Sequence, residues 1–292
     1  MRKIVVFLVV MLLAFINVYA GGLSADFYWE PQTPTDMQEV HFYDNSTGDI
    51  IAWIWYFGDG SSSTEQNPVH VYEDNGTYTV RLVIISSSGA TDYVEKVITV
   101  LNIPPVADAG EDIISNNLTV LFNGSLSYDV DGSIVAWHWE FGDGNTADGE
   151  TVSHTYEEEG IYVVNLTVED NDGDSDDDSI EVMVDITPPV TNYTIENEKA
   201  WYNGNVTVSL EATDNLAGVN YTMYRIDNGS WEKYEENFTV SGEGVHKVYF
   251  YSVDNAGNVE EEKNVTIGID LTPPATNYTI NAIYGQNKWI KD

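Results

Sequence analysis

The sequence carries one long segment twice, and this duplication constrains the fold more than any other feature. Residues 53–60, with the sequence WIWYFGDG, recur at an offset of 84 as WHWEFGDG at residues 137–144. The same offset maps His70 onto His154 and Tyr78 onto Tyr162. Because a repeated unit keeps its own pattern of buried residues, we expect at least two copies of one fold.

A second repeat divides the rest of the chain. Residues 187–195 (TPPVTNYTI) return as TPPATNYTI at residues 272–280, an offset of 85. Paired prolines open these segments and also occur at residues 104–105, where they stiffen short linkers. The sequence therefore predicts a leader at residues 1–20, three units at residues 21–102, 103–185 and 186–270, and the truncated start of a further repeat at residues 271–292.

The first 20 residues have the anatomy of a secretory signal. Arg2 and Lys3 precede an apolar run over residues 4–16, and small residues lead to a predicted cleavage point after Ala20. The run is shorter than the roughly 20 apolar residues that span a bilayer. We therefore expect a secreted or cell-surface protein whose mature chain has no membrane span.

Charge and composition narrow the class of protein. The formal net charge is -37, which repels nucleic acid and attracts divalent cations. Acidic chains are often disordered, but 42% of these residues are hydrophobic and 12% are aromatic, which is enough to build packed cores. Because the chain has no cysteine, no disulfide contributes to its stability.

Within the units the hydrophobic period is two. Tyr162, Val164, Leu166 and Val168 alternate with outward-facing residues, which is typical of a half-buried strand. Such strands stand between Gly, Asn and Asp turns, and no segment of the mature chain keeps a helical period. The sequence predicts an all-β protein of tandem immunoglobulin-like antiparallel β-sandwiches.

The first two units resemble a known family. The pattern WxFGDG, followed by HxYxxxGxYxVxL, is similar to the polycystic kidney disease (PKD) domain over about residues 25–185. The resemblance implies a seven-stranded immunoglobulin-like sandwich of the kind found in surface-layer proteins, adhesins and secreted hydrolases. The third unit, with its Thr-Pro-Pro opening, looks like the immunoglobulin-like repeats of prokaryotic surface proteins.

The sequence offers little evidence for catalysis. His70 and His154 occupy the same point of the repeat, which favours a structural role, and no nucleophile elbow or zinc-type histidine pair is present. Because acidic residues are abundant, their number alone does not exclude a pair of carboxylates that could hydrolyse glycosides. Trp55 and Trp139 are predicted to anchor the cores, whereas Trp53 and Trp137 could lie in the core or at its rim.

Calcium binding is implied by the PKD resemblance. Some PKD domains bind calcium through an Asp-x-Asp-Gly turn, an aspartate after the long strand and residues at the N-terminal edge. Carried over, this implies Asp129, Asp131, Asp170 and Asn102 as ligands. The first unit has Asn45-Ser46-Thr47-Gly48 in the corresponding turn, so no calcium is expected there. The alternative is that these residues only form turns.

A similar spacing recurs in the third unit. Asp185, Asp214 and Asp254 are separated by 29 and 40 residues, close to the 27 and 41 that separate Asn102, Asp129 and Asp170. This similarity predicts a second cation site near the junction of the second and third units.

Twelve Asn-x-Ser/Thr sequons predict N-linked glycans on an exported chain. The asparagines are Asn45, Asn75, Asn117, Asn123, Asn165, Asn192, Asn205, Asn220, Asn228, Asn237, Asn264 and Asn277.

These features together predict a non-catalytic structural or adhesion module of a glycosylated, S-layer-like surface protein. Its expected partners are other surface proteins or extracellular polysaccharide, and not nucleic acid. The alternative is a non-catalytic accessory region of a secreted protease or glycosidase whose catalytic domain lies beyond residue 292.

Overall fold

The computed structural model describes residues 22–279. The predicted leader at residues 1–20 and positions 280–292 of the predicted further repeat lie outside the described residues. Strands and turns make up the described part, which contains no helix long and apolar enough to cross a membrane. The predicted all-β class is confirmed.

The first unit has two sheets, with strand orders β4-β3-β6-β7 and β1-β2-β5. Its strands are β1 (Phe27–Glu30), β2 (Glu39–Asp44), β3 (Ile50–Tyr56), β4 (Ser62–Ser63), β5 (Val69–Val71), β6 (Gly76–Ser86) and β7 (Thr91–Val100).

The second unit has sheets of order β11-β10-β13-β14-β8 and β12-β9. Its strands are β8 (Ile113–Ser115), β9 (Thr119–Asn123), β10 (Ile134–Glu140), β11 (Thr146–Asp148), β12 (Thr151–Thr155), β13 (Gly160–Asp170) and β14 (Ser175–Val184). The short β8 pairs with β14 in parallel, which differs from the purely antiparallel expectation.

The third unit has sheets of order β18-β17-β20-β21 and β15-β16-β19. Its strands are β15 (Val190–Ile195), β16 (Val206–Thr213), β17 (Val219–Ile226), β18 (Glu232–Lys233), β19 (Phe238–Val240), β20 (Gly244–Asp254) and β21 (Lys263–Ile269). Each unit therefore contains seven strands around a hydrophobic core of its own.

The repeated tryptophans anchor the first two cores, as the alternation predicted. Trp55 and Trp139 are both 0% exposed, and their indole N–H groups donate to the carbonyls of Glu65 at 2.9 Å and Gly149 at 3.0 Å. Their polar atoms are thus satisfied within apolar surroundings. Trp53 and Trp137 lie half-buried at the rim of the same cores, which resolves the open alternative.

Tyr78 and Tyr162 lie near the start of the long strands β6 and β13, where immunoglobulin-like sandwiches place a corner tyrosine. The hydroxyls of Tyr78 and Tyr162 donate to the carbonyls of Asp74 and Glu158, each at 2.8 Å. These bonds tie the start of each long strand to the turn that precedes it.

A β-bulge recurs at the start of the third strand of each unit, directly after the turn that precedes that strand. The register shifts between Ile50 and Ala52 in β3, between Ile134 and Ala136 in β10, and between Val219 and Tyr221 in β17. Bulges bend a strand and redirect neighbouring side chains. The three units therefore present their preceding turns in a similar way.

Gly142 of the repeated FGDG motif gives a test of this packing. Its φ is +79°, and a Cβ atom there would approach the carbonyl oxygen of Val163 to 2.5 Å. Gly144 has a similar φ of +91° but open space around it. We expect Gly144→Ala to cost about 1 kcal/mol of backbone strain, and Gly142→Ala to cost several-fold more because β13 must also move.

Differential scanning calorimetry of the whole chain measures both variants. Only the transition of the second unit should shift, and equal shifts for the two variants would contradict this packing.

Candidate metal centres where the units meet

The acidic turn of the second unit lies beside the linker from the first unit. Asp131 Oδ2 accepts the backbone N–H of Ile103 at 3.3 Å. The carboxyl group of Asp129 contacts that of Asp131, and Asp36, from the loop between β1 and β2, contacts Asp131 as well. Two units therefore contribute three neighbouring carboxyl groups to this junction.

The pKa values reflect this crowding. Burial and then the Asp131 carboxylate raise the pKa of Asp36 to about 7. Burial, with a contribution from Asp131, also raises the pKa of Asp129. Burial opposes the ionisation of Asp131, but hydrogen bonds from Asp36 and Asp129 hold its pKa below the ordinary value. In the described part of the chain, no lysine, arginine or histidine forms an ion pair with any of these three carboxyl groups.

Three oxygen atoms at this junction have no hydrogen-bond partner among residues 22–279. The Oδ1 atoms of Asp36, Asp129 and Asp131 are all buried and unpaired. Buried polar atoms normally have a partner, because an unpaired one costs free energy. Calcium prefers carboxylate and carbonyl oxygens, so this set of donors fits a calcium ion.

Asp170 and Asn102 lie close together at the same end of the second unit. Asp170 is buried at the end of β13, where its Oδ1 accepts the N–H groups of Asp172 and Asp174, each at 2.9 Å. Its Oδ2 accepts Asn102 Nδ2 at 2.7 Å. The structure thus joins the linker to the end of the long strand, with the amide of Asn102 acting as a donor.

The sequence-predicted residues are brought together only in part. Asn102 meets Asp170, and Asp129 meets Asp131, but the oxygens of all three carboxylates do not come within 4.8 Å of one another in the described part of the chain. Sequence reasoning missed Asp36, because it belongs to the preceding unit and no motif surrounds it.

The third unit contains a tighter acidic group. One oxygen from each of Asp185, Asp214 and Asp254 lies within 4.8 Å of the other two. The linker, the turn before β17 and the end of β20 supply these three residues. The offset of 84 residues maps Asp170 of the second unit onto Asp254 of the third unit. This correspondence is a sequence signal that identifies Asp254 as a member of the group.

The repeated histidines have structural contacts. His70 and His154 contact Asp59 at 2.6 Å and Asp143 at 2.7 Å, and their rings stack on Phe57 and Phe141. The two copies have the same arrangement, which favours the predicted structural role.

The sequon asparagines all lie in the described part of the chain, and none of them is buried. Asn75 and Asn165 are half-buried, whereas the other ten are exposed.

The family model of the PKD domain matches residues 30–100 and 102–184. These two matches cover more than half of the chain, and they coincide with the two units that share the FGDG motif.

The chain belongs to the PKD domain family.

Relatives of these PKD domains occur in proteases. Collagenase ColA of Bacillus cereus is 36% identical over 93 residues, which is 30% of this chain and 10% of the collagenase. The pre-pro-metalloprotease PrtV of Vibrio cholerae serotype O1 is 31% identical over 131 residues, which is 44% of this chain and 14% of PrtV. The chain therefore spans only about a tenth of the length of these relatives.

Among solved structures, the PKD1 domain of the Vibrio cholerae metalloprotease PrtV is 37% identical. The match covers 28% of this chain and 99% of the PrtV domain, with a TM-score of 0.26.

Proposed function

We propose that this chain is a non-catalytic accessory region of a secreted hydrolase. The observation that carries this proposal is the identity of 36% and 31% between segments of this chain and two proteases. PKD domains are non-catalytic modules, and the paired histidines of both copies are engaged in ring stacking and in hydrogen bonds with aspartates. In this role, the units hold a catalytic domain at a defined distance from another part of the enzyme.

Calcium would stabilise the start of the second PKD domain. Asp129 and Asp131 would supply oxygen ligands from the acidic turn through their unpaired Oδ1 atoms. Asp170 and Asn102, which hydrogen-bond to each other at the same end of the domain, would complete the site by turning an oxygen towards the ion. The ion would neutralise the crowded carboxylates and fix the linker against the turn. We propose no calcium in the first domain, whose corresponding turn has no aspartate.

We assign the third unit to the Thr-Pro-Pro type of immunoglobulin-like repeat, with its boundary near residue 186. The hydroxyl of Thr187 donates to Glu159 at 2.8 Å, and that of Thr272 donates to Glu243 at the same distance. Both threonine N–H groups also donate to an aspartate two residues earlier, at 3.0 Å. The recurrence of these contacts supports one type of junction after each of two successive units.

A glycosylated surface or adhesion module is the second candidate function. It is favoured by the twelve sequons, none of which is buried, and by the net charge of -37. Glycans at these positions would cover exposed strands and turns. Its partners would be other surface proteins or extracellular polysaccharide.

An antibody raised against residues 22–279 separates the two functions. If the chain is an accessory region, the antibody should deplete a protease or glycosidase activity from the culture medium of the producing organism. Antibody against an unrelated secreted protein is the control. Retention of the native protein in the cell envelope, with no hydrolase removed by the antibody, would contradict the accessory role and support the surface module.

Calorimetric titration of the whole mature chain with CaCl₂ tests the proposed calcium site. The double variant Asp129→Asn/Asp131→Asn should lose one binding event, because two carboxylate ligands become neutral amides. The matched control is Glu157→Gln/Glu158→Gln, which removes the same charge from exposed positions of the same domain. Equal stoichiometry for the two double variants would show that the acidic turn binds no calcium.

A further inference from the structure

Three segments converge on an acidic group in the third unit. Asp185 lies in the linker after β14, Asp214 in the turn before β17, and Asp254 at the end of β20, with one oxygen of each within 4.8 Å of the others. Two calcium ligands on opposite sides of an ion are about 4.8 Å apart, since each bond is about 2.4 Å long. The group is therefore small enough for one calcium ion to contact all three carboxylates.

Burial makes this group costly without a cation. Asp185 and Asp254 are both 0% exposed. None of the three aspartates forms an ion pair among residues 22–279. By contrast, the buried Glu260 is neutralised by Lys263 at 2.6 Å. Carboxylates that are buried without a positive partner destabilise a fold, so a bound cation would stabilise this group.

Backbone hydrogen bonds hold the carboxylates in place but leave one oxygen free. Asp185 Oδ2 accepts the N–H of Ala217 at 2.8 Å, and Asp254 Oδ1 accepts that of Asn258 at 2.8 Å. Asp214 Oδ2 accepts the N–H groups of Leu216 and Gly218. The other oxygen of Asp214, Oδ1, is buried and has no partner. This unpaired atom is an independent sign of a ligand.

We propose that Asp185, Asp214 and Asp254 bind a calcium ion at the start of the third unit. The three carboxylates supply at least three of the six to eight oxygen ligands that calcium takes, and water completes the sphere. This site is separate from the one proposed in the second PKD domain, and neither depends on the other.

The ion would lock the linker between the second and third units. Glu159 of the second PKD domain accepts the hydroxyl of Thr187 and the amide of Asn215, each at 2.8 Å. Asn258 Nδ2 donates to the carbonyl of Asp185 at 2.7 Å. A cation beside these bonds would hold the linker, the turn and the long strand together.

Asp214→Asn is a clean test, because the amide oxygen can keep both backbone hydrogen bonds while the amide nitrogen replaces the unpaired oxygen. Calorimetric titration of the whole mature chain with CaCl₂ should show one binding event fewer than the wild type. In chelator, the variant should melt at the same temperature as the wild type or higher, because one half-buried negative charge beside two buried carboxylates is removed. Glu236→Gln, at an exposed position of the same unit, is the matched control.

Two results would overturn this proposal: unchanged calcium stoichiometry in Asp214→Asn, or a wild-type melting temperature of the third unit that calcium does not raise. In the first case, a variant that also melts lower in chelator would show that Asp214 only forms a turn.

A second observation concerns Asp36, which the first PKD domain presents to the second. Asp36 is 2% exposed, its N–H donates to the carbonyl of Leu101 at 2.9 Å, and its unpaired Oδ1 is buried beside Asp131. The loop that carries Asp36 is therefore fixed against the last residues before the linker.

We infer that Asp36 is a calcium ligand contributed across the junction, so that the ion bridges the two PKD domains. This inference rests on the proposed calcium site at Asp129 and Asp131. Bridging would explain why a carboxyl group of one domain is buried against the acidic turn of the next.

Asp36→Asn should weaken the calcium affinity of this site at least about tenfold, with Glu39→Gln as the exposed control in the same domain. The chain has no cysteine, so a cysteine pair in the two domains can report their separation by spin-label distance measurement. Calcium should narrow that distance distribution in the wild type and not in Asp36→Asn.

If the wild type binds calcium here and Asp36→Asn binds it equally well, the bridging ligand is wrong while the domain site stands. If Asp129→Asn/Asp131→Asn loses no binding event, the domain site itself is wrong.

Discussion

Uncompensated negative charge at the two junctions is the constraint on which this structure depends. Four aspartates are buried in the described residues, and all four lie where one unit passes into the next: Asp36, Asp170, Asp185 and Asp254. None of them has a lysine, arginine or histidine partner in that part of the chain. Hydrogen bonds offset part of the cost of burying these carboxylates, and they hold the pKa of Asp170 below its ordinary value. No charged side chain neutralises the carboxylates, however, so a bound cation would stabilise the junctions further.

The repeated scaffold explains why the acidic groups occur where they do. Each unit ends one long strand near the linker that enters it, and each places a turn with a following bulge beside that strand. In the third unit, aspartates at the strand end and in the turn then converge without any special loop, whereas in the second unit they come together only in part. In the first unit the same positions carry Asn45, Thr47 and Ser86, so the scaffold alone does not create an acidic group.

The sequence predicted the fold well because its signals are local or repeated. The period of two in β13 and the duplicated tryptophans depend only on which face of a strand is apolar, and the family pattern lies within single units. The parallel pairing of β8 with β14 was not predictable, because three residues carry no signal of direction. The spacing of Asp185, Asp214 and Asp254 was informative because it repeats that of the preceding unit. Asp36 was not predicted, because it meets Asp131 only through a contact between two units of the folded chain.

The most direct measurement of the central claim is a crystal structure of the mature chain grown with calcium, with anomalous data collected at long wavelength. We expect two anomalous peaks, one beside Asp36, Asp129 and Asp131 and the other among Asp185, Asp214 and Asp254. If the map has no peak at either place and ordered water or protein donors satisfy the unpaired carboxylate oxygens, the junctions are not held by cations and the account is contradicted.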